Sequence, residues 1–469
     1  MKHDELLRRS ALELAASIRA KQVSPVEVTE AVLARIDALN PRLNAFCLVA
    51  PDVALNAARE AEIAVVKGEP LGPLHGVPFS IKDVIFTRGL RTTGGSRLFA
   101  DAVPEEDAIV VARMRAAGAV VLGKTNTSEL GHQALTDNTL FGPTRNPWNL
   151  DLTPGGSSGG AAAAVASALG PVALGTDGGG SLRLPAAFCG VYGFKPSWGR
   201  VPQYPSFPGW EHLSVTGPIT WTVRDAALVL DVIAGDDDRD RHSLPREARS
   251  YLESCDDSIR GLHVAWSPDL GYAAVDPRVL AVCENAAAEF EALGCHVEVV
   301  NPAWEDPEEI FRTIVSAQFY AHWSDQLPAQ EAQLDPSLVK FIRRGGAVSA
   351  REYVLAMDRV RAYWHEAQTF LARFDLLLTP TVSVLPFPVT ERPPREIGEQ
   401  AISVLGWMPF TFPFNLTGQP AASVPAGLTE DGLPVGLQIV GRRNADRTVL
   451  AASAAYEAAC PWSKRRPPL

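Results

Sequence analysis

The 469-residue sequence predicts an α/β fold: one large domain whose central mixed, mostly parallel sheet is covered by helices on both faces. Three observations carry this. From Gly76 onward, short apolar runs (VPFSIKD, AVVLGKT, PVALGTD) alternate with helical stretches (AIVVARMRAAG, AAAAVASALG). Such alternation builds parallel strand pairs with helices on the faces. Each run also ends in a polar or glycine-rich turn, where sheets of this kind collect functional groups. Finally, no repeat or linker divides the chain, and 46% hydrophobic with 21% charged residues is globular composition with enough chain for a large core.

The elements follow in order within a single domain spanning 1–469. Residues 1–70 read as N-terminal helices. Ser24-Pro25-Val26-Glu27 is a capping box with proline at the first helical position. Val28, Val32, Ile36 and Leu39 recur at helical spacing until Asn40-Pro41 stops the helix. Residues 71–202 hold the strand–helix core. Residues 203–400 are more varied. QYPSFPGWEH is a proline- and aromatic-rich loop, and GDDDRDRH (235–242) is a solvated charge run. GLHVAWSPD, a helix near 277–293 and CHVEVV form another βαβ unit. Helices follow to about 374, DLLLTPTVSVLP is a buried strand, and 384–404 is a surface excursion. Residues 401–469 return to the sheet through GLPVGLQIVG and the helix RTVLAASAAYEAA.

Several function classes fall away. A net charge of −11 disfavours nucleic acid and anionic membrane as partners. Six scattered cysteines without a CxxC pair read as thiols of a reducing compartment. The N-terminal MKHDELLRRS carries charges throughout, unlike a signal peptide, and no stretch approaches eighteen apolar residues; the expectation is a cytoplasmic protein. The histidines are scattered, and WHEAQT (364–369) lacks the second histidine of a zinc-protease helix. Neither glycine cluster fits a phosphate-binding fingerprint. No metal or organic cofactor is expected.

A serine nucleophile is the stronger theme. GGSSG centres a formal GxSxG on Ser157, but RNPWNLDLTP before it is not a strand, so the context of a nucleophile elbow is missing. The second candidate is TDGGGSLRLP (176–185). Backbone N–H groups of Gly178, Gly179 and Gly180 at the start of a helix can cradle an oxyanion beside the Ser181 hydroxyl. A flexible glycine turn that ends in serine explains the same letters equally well. A serine needs a base. Lys82 ends the run FSIK, and burial pushes a lysine amine toward its neutral form. Being half neutral near pH 7.5 asks for about 4 kcal/mol, which burial can supply. Taken alone, Lys82 is equally a lysine snorkelling from a strand end.

The combination closely resembles the amidase signature family. It rests on IKD at 81–83, TRNPWN at 144–149, GGSSGG at 155–160, TDGGGSLRLPAAFCG at 176–190, GFKPSWGRV at 193–201 and FPFNLTGQPAASVPAG at 412–427. The resemblance implies the fold of that family and a Ser-cisSer-Lys triad. Ser181 aligns with the nucleophile, Ser157 with the bridging serine behind a cis peptide bond, and Lys82 with the base. It implies an oxyanion hole of the N–H groups of Gly178, Gly179, Gly180 and Ser181, with Ser158, Asp177 and Arg183 in support. Many members carry Thr at the position of Gly178, so more room is expected there beside the scissile bond.

The family also contains one component of a glutamine-dependent tRNA amidotransferase, its A subunit. Leu184 stands where that branch usually has glutamine, which favours a stand-alone hydrolase acting on a small-molecule amide or carbamate, as monomer or homodimer. A Ser-His-Asp enzyme of the α/β-hydrolase kind is the remaining alternative. Phe207, Trp210 and GWMPFTFPF (406–414) are candidates for an apolar pocket, with core packing the competing explanation.

Overall fold

The computed structural model describes residues 3–463 and 465–469. Its strands are β1 (Phe46–Val49), β2 (Pro78–Lys82), β3 (Val120–Thr125), β4 (Val172–Asp177), β5 (Tyr192–Lys195), β6 (Val215–Thr220), β7 (His263–Trp266), β8 (His296–Val299), β9 (Leu376–Pro380), β10 (Glu396–Ile397), β11 (Gln400–Ala401), β12 (Ala421–Leu428) and β13 (Pro434–Gly441). Eleven form one sheet in the order β1-β3-β2-β4-β6-β5-β12-β13-β9-β7-β8, and β10-β11 is a separate hairpin. The sheet is mixed. Parallel pairing is concentrated in two blocks, β3-β2-β4 and β9-β7-β8. Antiparallel strands β6, β5, β12 and β13 join them.

Both faces are covered. Along β13, Val435, Leu437 and Ile439 enter one hydrophobic cluster while Val440 enters another. The same split divides Leu376 and Leu378 from Leu377 on β9. Continuous apolar runs are what a sheet packed on both faces requires. No helix among the described residues is long and apolar enough to cross a membrane. The six cysteines are free thiols.

Four expectations about elements are corrected. The helix opened by Ser24 runs Pro25–Leu43, past Asn40-Pro41. Pro41 lies in the last turn, so the bond it cannot make to the residue 37 carbonyl is lost with little helix left beyond it. The end is closed instead by Asn44, in the left-handed region, donating to Asn40 O at 2.7 Å. The Asn40 side chain bonds both backbone groups of Phe46 and so leads the chain into β1, a strand inside the segment read as all-helical. Residues 203–260 contain β6 and the helix Val223–Ile233. VTGPIT hides its strand because glycine and proline interrupt the pattern. Pro218 is tolerated because β5 pairs only with Ile219 and Thr220, which leaves position 218 partnered on one side. The strand in DLLLTPTVSVLP ends at Pro380.

Candidate active site

Lys82 is the last residue of β2, and Thr176 stands near the end of its parallel neighbour β4. The lysine is fully buried. Its Nζ lies 2.6 Å from Ser157 Oγ and 2.9 Å from Thr176 Oγ1. Burial pushes the amine down to about 7, against the opposing pull of the Asp177 carboxylate. Lys124, at the end of β3, has a different environment. Its Nζ donates to Ile85 O, Thr87 Oγ1 and Thr92 Oγ1, holding the loop after β2 rather than facing the serines.

Ser157 follows Gly156 through a cis peptide bond and is 2% exposed. Thr136 organises its loop: Thr136 Oγ1 donates to Gly155 O at 2.8 Å and accepts from Gly159 N–H at 2.8 Å. Ser158 points elsewhere, donating to Thr176 O at 3.1 Å and accepting from Thr176 N–H at 3.4 Å. It ties the serine loop to the end of β4.

The glycine turn is clamped from below by a buried ion pair. Asp177 accepts from both Arg183 Nε and Nη2 at 3.0 Å, and from Asn415 Nδ2 at 2.9 Å. Arg183 also donates to Thr411 O, Gln438 Oε1 and Asn415 Oδ1. Burial alone would raise the Asp177 carboxyl, but the Arg183 guanidinium outweighs it and holds the group well below the usual carboxylate range. Arg183→Met leaves that carboxylate buried without its cation. The expected cost is about 3–5 kcal/mol of stability, read from denaturant unfolding beside wild type. Full retention of stability would show that Asn415 and the backbone donors suffice.

Two expectations about the turn are corrected here. The Gly180 N–H donates to Asp177 Oδ1 at 2.7 Å, so it is spent on the clamp and is not free for an oxyanion. The N–H groups of Gly178, Gly179 and Ser181 have no hydrogen-bond partner among the described residues. Nor does Gly178 leave open room. A Cβ on it would meet Trp210 Cε3 at 2.5 Å, and one on Gly179 would meet Phe311 Cζ at 2.8 Å. Only Gly180, at φ +131°, needs glycine's backbone freedom. The other two are small because aromatic rings lie on them.

Ser181 is half-buried and lines a cavity of about 240 Å³ together with Ser157, Thr176 and Gly178. Its hydroxyl has no hydrogen-bond partner among the described residues, whereas Ser157 is held on Lys82. Such looseness is common before substrate binds. The aromatic candidates divide. Phe207 and Trp210 line the cavity, while Trp407, Phe410, Phe412 and Phe414 are packed in the core. Thr136 joins the site from outside every quoted motif, whereas Thr176 and Asn415 lie within TDGGGSLRLP and FPFNLTGQPAASVPAG, whose letters did not single them out.

A family model described as Amidase matches residues 27–450. The chain is 42% identical to an acylamidase of Rhodococcus erythropolis, over 98% of this chain and 97% of that protein. It is 37% identical to the A subunit of a glutamyl-tRNA(Gln) amidotransferase of Moorella thermoacetica, over 99% of each. Among solved structures it is similar to a bacterial aryl acylamidase of the amidase signature enzymes, with TM-score 0.92, 36% identity and 97% of each chain covered.

Proposed function

The chain belongs to the amidase family and hydrolyses amide C–N bonds, and from that premise we propose that Ser181 is its nucleophile, Ser157 its proton relay and neutral Lys82 its base. Lys82 takes a proton from Ser157 as Ser157 takes one from Ser181. The Ser181 oxygen attacks the carbonyl carbon. The N–H groups of Gly178, Gly179 and Ser181 hold the negative charge that develops on the carbonyl oxygen. Ser157 then passes a proton to the leaving nitrogen, the C–N bond breaks, and an acyl-Ser181 ester remains. Water attacks that ester by the same relay and releases the acid. Ser158 acts through Thr176, and Asp177 with Arg183 fixes the turn.

The observation that carries this reading is Lys82 Nζ at 2.6 Å from Ser157 Oγ, inside a fully buried setting that holds the amine near neutrality at physiological pH. Acylamidase relatives support aryl and alkyl amides or anilides as substrates. Carbamates present the same C(=O)–N group and are included. The protein is proposed to act on small molecules in the cytoplasm without partner proteins, as a monomer or homodimer.

The test is single-turnover release of amine from an acyl anilide, a primary aryl amide, an N-aryl carbamate and glutamine, with the protein alone. The expected result is a burst of amine from the anilide, and from the carbamate if urethanes are substrates. Reaction with glutamine alone, and only after partner proteins are added, would replace this reading with that of an amidotransferase component. The near-full-length likeness to such a component makes that comparison necessary.

A further inference from the structure

Trp210 belongs to no motif, yet it touches both halves of the site. Its six-membered ring lies on Gly178, which has an ordinary backbone conformation and so is small for lack of space rather than for its torsions. Its Nε1–H donates to Leu130 O at 3.2 Å. Its ring stands edge-on to Phe319, with centroids 5.6 Å apart, and is tilted against Phe311 at 6.5 Å. These contacts fix the indole while part of it remains on the cavity surface. The nitrogen end of the ring is on the Ser157 side. A Cβ on Gly131, next to Leu130, would be 3.4 Å from Ser157 Oγ and 3.8 Å from Trp210 Nε1. The indole therefore spans from the glycine turn to the strip of chain beside the hydroxyl that protonates the leaving nitrogen.

We propose that Trp210, seated on Gly178, is the wall of the leaving-group side and selects amides whose amine part is flat, above all aryl amines lying along the indole. The inference rests on the roles proposed for Ser157 and Ser181. A flat ring can lie along the fixed indole over its whole face, whereas a branched or saturated amine touches it only at a few atoms. Gly178 is the counterpart: any side chain there displaces the plate.

The test uses two substrate series. One keeps the acetyl group and varies the amine: 4-nitroaniline, cyclohexylamine and tert-butylamine. The other keeps 4-nitroaniline and varies the acyl group: acetyl, butyryl and benzoyl. Trp210→Ala is expected to lower the preference for the anilide over the cyclohexylamide, in kcat/KM, by about ten-fold or more. Preferences within the acyl series should move by less than about three-fold. Trp210→Phe, which keeps a flat ring, should hold most of the amine preference. Gly178→Ala should lose activity on every substrate, and adding Trp210→Ala should restore turnover of the cyclohexylamide above that of Gly178→Ala alone. Near-wild-type melting of the Phe variant separates selectivity from misfolding.

The proposal is overturned if Trp210→Ala slows all amines alike, if it changes the acyl series instead, or if Gly178→Ala is equally harmful with and without Trp210. Failure of the underlying mechanism reads differently. In that case Ser181→Ala would retain turnover, whatever the Trp210 variants do.

Discussion

Replacing Ser181 with alanine is expected to abolish the amine burst and to lower kcat by about a million-fold, roughly 8 kcal/mol of transition-state stabilisation. The oxygen removed is the one that forms the acyl-enzyme, and no covalent route remains without it. The loss should be chemical rather than structural. Ser181 is half-buried and its hydroxyl has no hydrogen-bond partner among the described residues. Truncation therefore orphans no buried group, and stability should change by no more than about 0.5 kcal/mol. Measuring kcat beside a denaturant curve separates the two. Retention of more than about one part in a hundred of the wild-type rate would place the nucleophile elsewhere, with Ser157 the first alternative.

Lys82→Ala is the second large effect, expected to cost about 10⁴-fold near neutral pH. The wild-type pH profile should explain the loss. Burial pushes the Lys82 amine down to about 7, with the Asp177 charge opposing. Only the neutral amine accepts a proton, so kcat/KM should rise with pH and reach half its plateau near the same value, about 7. Below it, each pH unit should cost about ten-fold, because the neutral fraction falls in proportion. Lys82→Ala should lose this limb. Lys82→Arg keeps a cation and several N–H donors but cannot be deprotonated in a protein. It should be as inactive as Lys82→Ala if the lysine is a base. If it retains activity, Lys82 acts only by positioning Ser157. A wild-type rate that is flat from about pH 5 to about 9 would also remove the base role.

Much of this arrangement is local and therefore visible in the letters. The strands β2, β3 and β4 are continuous apolar runs because both faces of the sheet are covered, and the helix at 25–43 announces itself with a capping box whose two hydrogen bonds form as expected. The family could be read from motifs spread along the chain, since a turn that must approach a reacting carbonyl leaves little freedom in residue type. β6 was hidden because VTGPIT gains its partners from β4 and β5, which are set by topology rather than by its own alternation.

The sequence by itself determined the sheet-and-helix alternation, and its resemblance to the amidase signature family put Lys82, Ser157 and Ser181 forward as a set. Only the tertiary structure decided what each group faces. It brings Lys82 to Ser157 and Thr176 while turning Lys124 toward the loop at 85–92. It commits the Gly180 N–H to Asp177. It also lays Trp210, thirty-two positions along the chain, on Gly178. The physical reason is that backbone pattern and turn chemistry act between neighbours in sequence. Burial, hydrogen-bond partnership and the space beside a glycine are instead set by chain segments that meet only when the sheet closes its core.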